Sequence, residues 1–100
     1  MDYRTEFPDF DIVLDLDLIA AHGLVDCSWH NDAVPSFERI VGDYRIVLWV
    51  NYADRNLREV PDTHDFVVSV EEEQGSGDEI AYHSAATLED ALAIVDTLTI

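Results

Sequence analysis

Asp9, Asp11, Asp15 and Asp17 stand on odd positions of a run, Asp9 to Leu18, whose even positions Phe10, Ile12, Leu14, Leu16 and Leu18 are all apolar. A strand projects alternate side chains to one side about 6.5–7 Å apart. On a strand these carboxylates form a row of negative charge. Its pitch is near that of phosphates along one nucleic-acid strand, about 3.4 Å of axial rise per phosphate plus the winding. Glu71, Glu72, Glu73, Asp78 and Glu79 form a second cluster around a turn. The chemistry open to such rows is imitation of nucleic acid in a basic groove. Ordinary solvated faces also produce acidic runs, and for any single run that is the simpler account.

The whole chain sharpens the question. It carries 22 acidic residues, no lysine and five arginines, for a formal net charge of −17 over 100 residues. A charge that far from zero opposes compaction through self-repulsion. Two explanations compete: a working surface shaped for a basic partner, or salt adaptation of the source organism. A genome that favours arginine over lysine adds to the second. Direct nucleic-acid or anionic-membrane ligands are excluded by like charge.

Other constellations carry less. Cys27 and His30 have a C-x-x-H spacing, with His22, His64 and His83 elsewhere, but zinc sites normally pair two such motifs and the second is missing. No metal and no cofactor are expected. A nucleophilic Cys27 needs an electropositive setting, and so acidic a chain raises a thiol pKa. Acids are so abundant that a close pair has no diagnostic value, and a hydrolase needs a concave cleft. The expectation is no enzyme. Arg55 and Arg58 sit among Asp54, Glu59 and Asp62 and read as local ion pairs. Trp49 and Tyr52 are candidate aromatic anchors for a partner, although core packing claims at least one of them.

The elements that must position these residues follow from periodicity. Hydrophobic residues make up 48% of the chain and aromatics 10%, which separates it from disordered acidic tails. One domain over residues 1–100 suits the length. The alternation at 9–14 predicts a strand, passing into a short helix over 16–22 that Asp15 or Asp17 caps and Gly23 ends. A short strand is expected within Leu24 to Trp29, then a loop over 30–35. Ser36 to Val41 and Tyr44 to Tyr52 read as strands joined by Gly42-Asp43, with Gly first as a type II′ turn prefers. Residues 53–64 read as a polar loop, Asp65 to Glu72 and Glu79 to His83 as strands around the turn at 73–78. Thr87 caps a last helix whose apolar stripe is Leu88, Ala91, Leu92, Val95 and Leu98. The fold class is therefore α+β: a single domain with a three- to four-stranded antiparallel sheet, a short N-terminal helix and a C-terminal helix packed on one face. The other sheet face meets water or a partner.

The single cysteine excludes an internal disulfide and suits a reducing compartment. The first residues lack the basic and apolar regions of a signal peptide, and no stretch is long and apolar enough to span a bilayer. A cytoplasmic location is expected.

Asp26 to Phe37, together with Leu48 to Tyr52, resembles small uncharacterised bacterial and phage proteins, a likeness that implies no activity. In size and acidity the chain is also similar to anti-CRISPR proteins and other phage-encoded inhibitors, several of which act as nucleic-acid mimics. That second resemblance implies a non-enzymatic inhibitor whose partner is the basic surface of a nucleic-acid-binding complex.

Overall fold

In the computed structural model, residues 3–30, 32, 34–54, 56, 65–72 and 79–98 are described, 79 and 80 by backbone alone. The chain runs α1 (Tyr3–Glu6), α2 (Leu16–Ala21), β1 (Val25–Asp26), β2 (Ser36–Val41), β3 (Tyr44–Val50), β4 (Phe66–Glu72), β5 (Glu79–Ala85) and α3 (Leu88–Leu98). The strands form one antiparallel meander in the spatial order β1-β2-β3-β4-β5. The α+β class stands. The sheet has five strands rather than three or four, because Val25–Asp26 adds a short edge beside Phe37 and Glu38.

Local chemistry explains the joints. Gly42 holds φ +60° between paired Val41 and Tyr44, and Asp43 stays at negative φ, the arrangement of a type II′ hairpin. Asp15 caps α2 by accepting the Leu18 amide at 3.0 Å. Gly23 ends it at φ +76°, its amide donating to the Ala20 carbonyl at 2.9 Å. Thr87 Oγ1 accepts the Asp90 amide at 3.1 Å and starts α3.

The core lies on one side of the sheet. Phe37, Ile46, Leu48, Val50, Phe66 and Val68 pack there with Ile19 of α2 and with Ala91, Leu92 and Val95 of α3. The N-terminal segment closes the same side. Tyr3 is buried, its amide donates to Asp26 Oδ2 at 2.7 Å, and its ring lies between Phe10 at 5.8 Å and Phe37 at 6.1 Å. The four-residue helix α1 that carries Tyr3 has no periodic pattern long enough to announce it.

The expected strand at 9–14 does not form. The alternation is nevertheless real: Leu14 is buried and Phe10 and Ile12 are half-buried, whereas Asp9, Asp11, Val13 and Asp15 are exposed. Alternation reports which side is buried. A strand also needs a neighbouring ladder, and this segment instead turns through a bond from the Phe10 amide to the Phe7 carbonyl and rests on the Tyr3 hydroxyl. Tyr52 falls just beyond β3, which ends at Val50, and β5 runs two residues past the expected His83. Most of the polar loop after Asp54, with Arg55, Arg58 and His64, lies outside the described residues.

Candidate functional site

Register sorts the site residues onto two sides. Residues paired across an antiparallel ladder project to the same face. Rows Val25–Glu38–Val47–Ser69–Tyr82, Ile40–Arg45–Glu71 and Ser36–Trp49–Val67–Ser84 therefore share the face opposite the helices. Arg45 organises it. Its Nε donates to Glu38 Oε2, its Nη1 to Glu71 Oε1 at 3.2 Å, and its Nη2 to Cys27 Sγ at 3.6 Å. Ser69 Oγ donates to Glu71 Oε2 at 3.1 Å and accepts the Trp49 indole N–H at 3.0 Å. Burial pulls the Arg45 guanidinium down, but the bond and charge of Glu38, then Cys27 and Glu71, raise it overall. Its charge is thus consumed inside the sheet. Val47, Ser36 and Ser69 are buried on this face, while Val25, Ile40 and Tyr82 are exposed around it.

Cys27 sits at the margin of the network, Sγ 3.3 Å from Ser36 Oγ. Burial pushes its thiol up, the Ser36 bond offsets part of that, Glu38 adds a further push and Arg45 pulls down, leaving the thiol raised overall. The thiol is held protonated rather than primed for attack. His30 points elsewhere: it stacks on Trp29 at 4.3 Å, with Nδ1 3.7 Å from Glu6. The C-x-x-H spacing does not bring its two side chains to one site. No cluster of three or more metal-ligating side chains occurs among the described residues.

The N-terminal acids lie on the helix side. Two of the four hold backbone. Asp11 receives the amides of Ala53 and Asp54, both at 2.8 Å, and Asp15 is the α2 cap. Asp17 is exposed in the first turn of α2, and Asp9 is exposed in the preceding turn. A regular row at strand pitch is absent because the strand is. In its place the helix layer is rich in acid: Asp17, Glu89, Asp90 and Asp96 are exposed on α2 and α3. The arginines on this side among the described residues are Arg4 of α1 and Arg39, whose Nη1 donates to the His22 carbonyl at the end of α2 at 3.3 Å. His22, capping the end of α2, holds Asp96 of α3 at 2.8 Å and ties the two helices together.

The second acidic cluster divides. Glu71 belongs to the open-face network, and Glu72 is exposed opposite Tyr44 on the helix-side rim. Glu73 and Asp78 lie outside the described residues, as does the side chain of Glu79. The two aromatics also separate. Trp49 is half-buried on the open face. Tyr52 meets Phe10 edge-on with ring centroids 5.1 Å apart, and burial, with Asp9 and Asp11, raises its hydroxyl. A cleft of about 270 Å³ is lined by Tyr3, Arg4, Phe7, Pro8, Phe10, Ile12 and Val13, and among these described residues there is no carboxylate, histidine or thiol. No helix among the described residues is long and apolar enough to cross a membrane.

The Glu38–Arg45–Glu71 clamp escaped sequence reasoning. Its signal was opposite charges on same-face positions of neighbouring strands, legible only once the register is known. No protein-family model matches the chain, nor does any curated protein or solved structure.

Proposed function

We propose that this chain is a non-enzymatic acidic binding protein that occludes a basic, nucleic-acid-binding surface of a larger complex, the role that anti-CRISPR-type phage inhibitors play. The observation that carries the reading is the helix-side layer, where exposed Asp9, Asp17, Glu89, Asp90 and Asp96 outnumber Arg4 of α1 and Arg39, which is engaged with the His22 carbonyl at the end of α2. With a net charge of −17 behind it, such a surface attracts a basic groove over long range and speeds encounter. Imitation here comes from a layer of carboxylates on two helices and the turn before them. The cytoplasm, where such complexes work and where a lone thiol stays reduced, is the proposed location.

The test has two steps. Capture from a host lysate followed by mass spectrometry nominates the partner. The purified partner is then titrated with the chain and with duplex nucleic acid at rising salt. Mutual exclusion, with binding that weakens steeply as salt rises, is expected. A partner that holds chain and nucleic acid together, or binds equally at high and low salt, refutes the reading. Acidity that serves solvation in a salt-adapted cell gives a different outcome: the chain unfolds in low salt and folds in molar KCl.

A further inference from the structure

We propose that the outer edge of β5 is a strand-addition site that takes an extended, lysine- or arginine-bearing segment of the partner. This inference rests on the acidic-binding reading above and names how one basic segment is held. The sheet has two edges. β1 spans only Val25–Asp26, so β5, at seven residues, is the long one. Among the described residues β5 pairs with β4 alone and enters no other backbone hydrogen bond. A ladder leaves alternate N–H and C=O groups on an outer strand pointing away from the sheet, and these template another strand.

Natural edges are normally blunted with lysine, proline or a bulge. β5 holds no lysine and no proline. The irregularity at Val70/Glu71 disturbs only the Glu79 end, leaving Ala81 to Ala85 in unbroken register with Val70 to Phe66. Side chains along that stretch are small or accommodating. Ser84 and His83 are exposed, and Tyr82, 54% exposed, stands on the open face beside Ser69. A strand laid beside β5 places alternate side chains next to the Tyr82 ring, where a cation is favoured over the aromatic face.

Charge selects the occupant. A second copy brings another −17 to the junction, so pairing of β5 with itself is opposed. A basic extended segment is drawn in by the same field. Backbone bonds then supply the hold and the alternating side chains supply the selectivity.

The experiment uses the full chain at low ionic strength and a peptide of about eight residues alternating lysine and valine, a common strand length. A second peptide has the same sequence with alternate amides N-methylated, which keeps the charge and removes the ladder. Amide exchange and amide chemical shifts are followed residue by residue. The expected result is exchange slowed about tenfold or more at alternate amides of Ala81 to Ala85 by the first peptide and not by the second. If both peptides bind and perturb only α2 and α3, the edge proposal fails while the acidic-binding reading survives. If neither peptide binds, both fail. If the β5 amides are protected in the chain alone, with a doubled mass at rising concentration, a second copy is the occupant and the proposal is overturned.

Discussion

Replacing Arg45 with methionine tests whether the clamp on the open face stabilises the sheet. Methionine keeps the apolar stem and removes the guanidinium. Glu38 and Glu71 are then left as like charges on either side of β3, with the Ser69 hydroxyl still donating to Glu71. The side chains of Arg45, Glu38 and Glu71 are 28%, 31% and 20% exposed, so the cluster lies between surface and interior. Exposed pairs contribute about 0.2–1 kcal/mol, and breaking a buried pair costs about 3–5 kcal/mol. A half-buried double pair therefore places the cost of Arg45→Met at about 2 kcal/mol. For a domain of this length that lowers Tm by roughly 10 °C. Urea and thermal unfolding give the cost directly. Fluorescence of Trp49, one hydrogen bond from Ser69 and two from Glu71, reports the local change. In a Glu38→Gln/Glu71→Gln background the same substitution should cost less than about 0.5 kcal/mol, because no stranded charges remain. An equal cost in both backgrounds assigns the effect to stem packing and refutes the clamp.

Three further outcomes follow from individual contacts. Gly23→Ala should destabilise by about 1–2 kcal/mol in denaturant titration, because Gly23 sits at φ +76° and a Cβ there meets the Arg39 side chain at 3.3 Å. Asp11→Ala should cost about 1–2 kcal/mol through loss of two charge-assisted bonds, whereas exposed Asp17→Ala should stay within about 0.5 kcal/mol; equal effects would show that Asp11 does not hold the 53–54 turn. Alkylation of Cys27 should titrate above the ordinary thiol value of about 8.5, since burial pushes it up. Glu38→Gln should move that midpoint down and Arg45→Met should move it up. A thiol raised by folding contributes stability that is whole below its unfolded value and is lost as pH climbs through the folded one, so unfolding should ease on the alkaline side.

Much of the fold was legible because its signals are local. Gly42-Asp43 between two apolar alternations can only be a hairpin, and Asp15, Gly23 and Thr87 announce helix ends by their own hydrogen-bonding chemistry. What failed was non-local. The alternation at 9–14 identified the buried side but not the absence of a pairing partner, a property of the assembled sheet. The acids suffered the same limit. Nothing in the residues around Asp11 reveals that its carboxylate holds backbone at 53 and 54, more than forty positions away. Nothing in the strand around Arg45 reveals its partners. The guanidinium is spent on acids from the two neighbouring strands.

The separation of the two sides decides how a partner can be held. The exposed acids of 9–17 and of α3 cover the helix layer, while Trp49 lies on the opposite face of the sheet, so one flat interface cannot use both. Long-range attraction comes from the net charge of −17 whichever face makes contact, and it fades as salt rises. Close contact acts through one face only. With the captured partner, Asp17→Lys with Glu89→Lys should therefore slow association about tenfold and flatten its salt dependence. Trp49→Ala should leave association unchanged. If the helix layer is the docking face, Trp49→Ala should leave dissociation unchanged as well, and the charge reversals should also speed it. If Trp49→Ala instead speeds dissociation about tenfold or more, in the manner of an interface hot spot, the open face makes the contact. The carboxylates then only steer, and nucleic-acid mimicry by the helix layer is wrong.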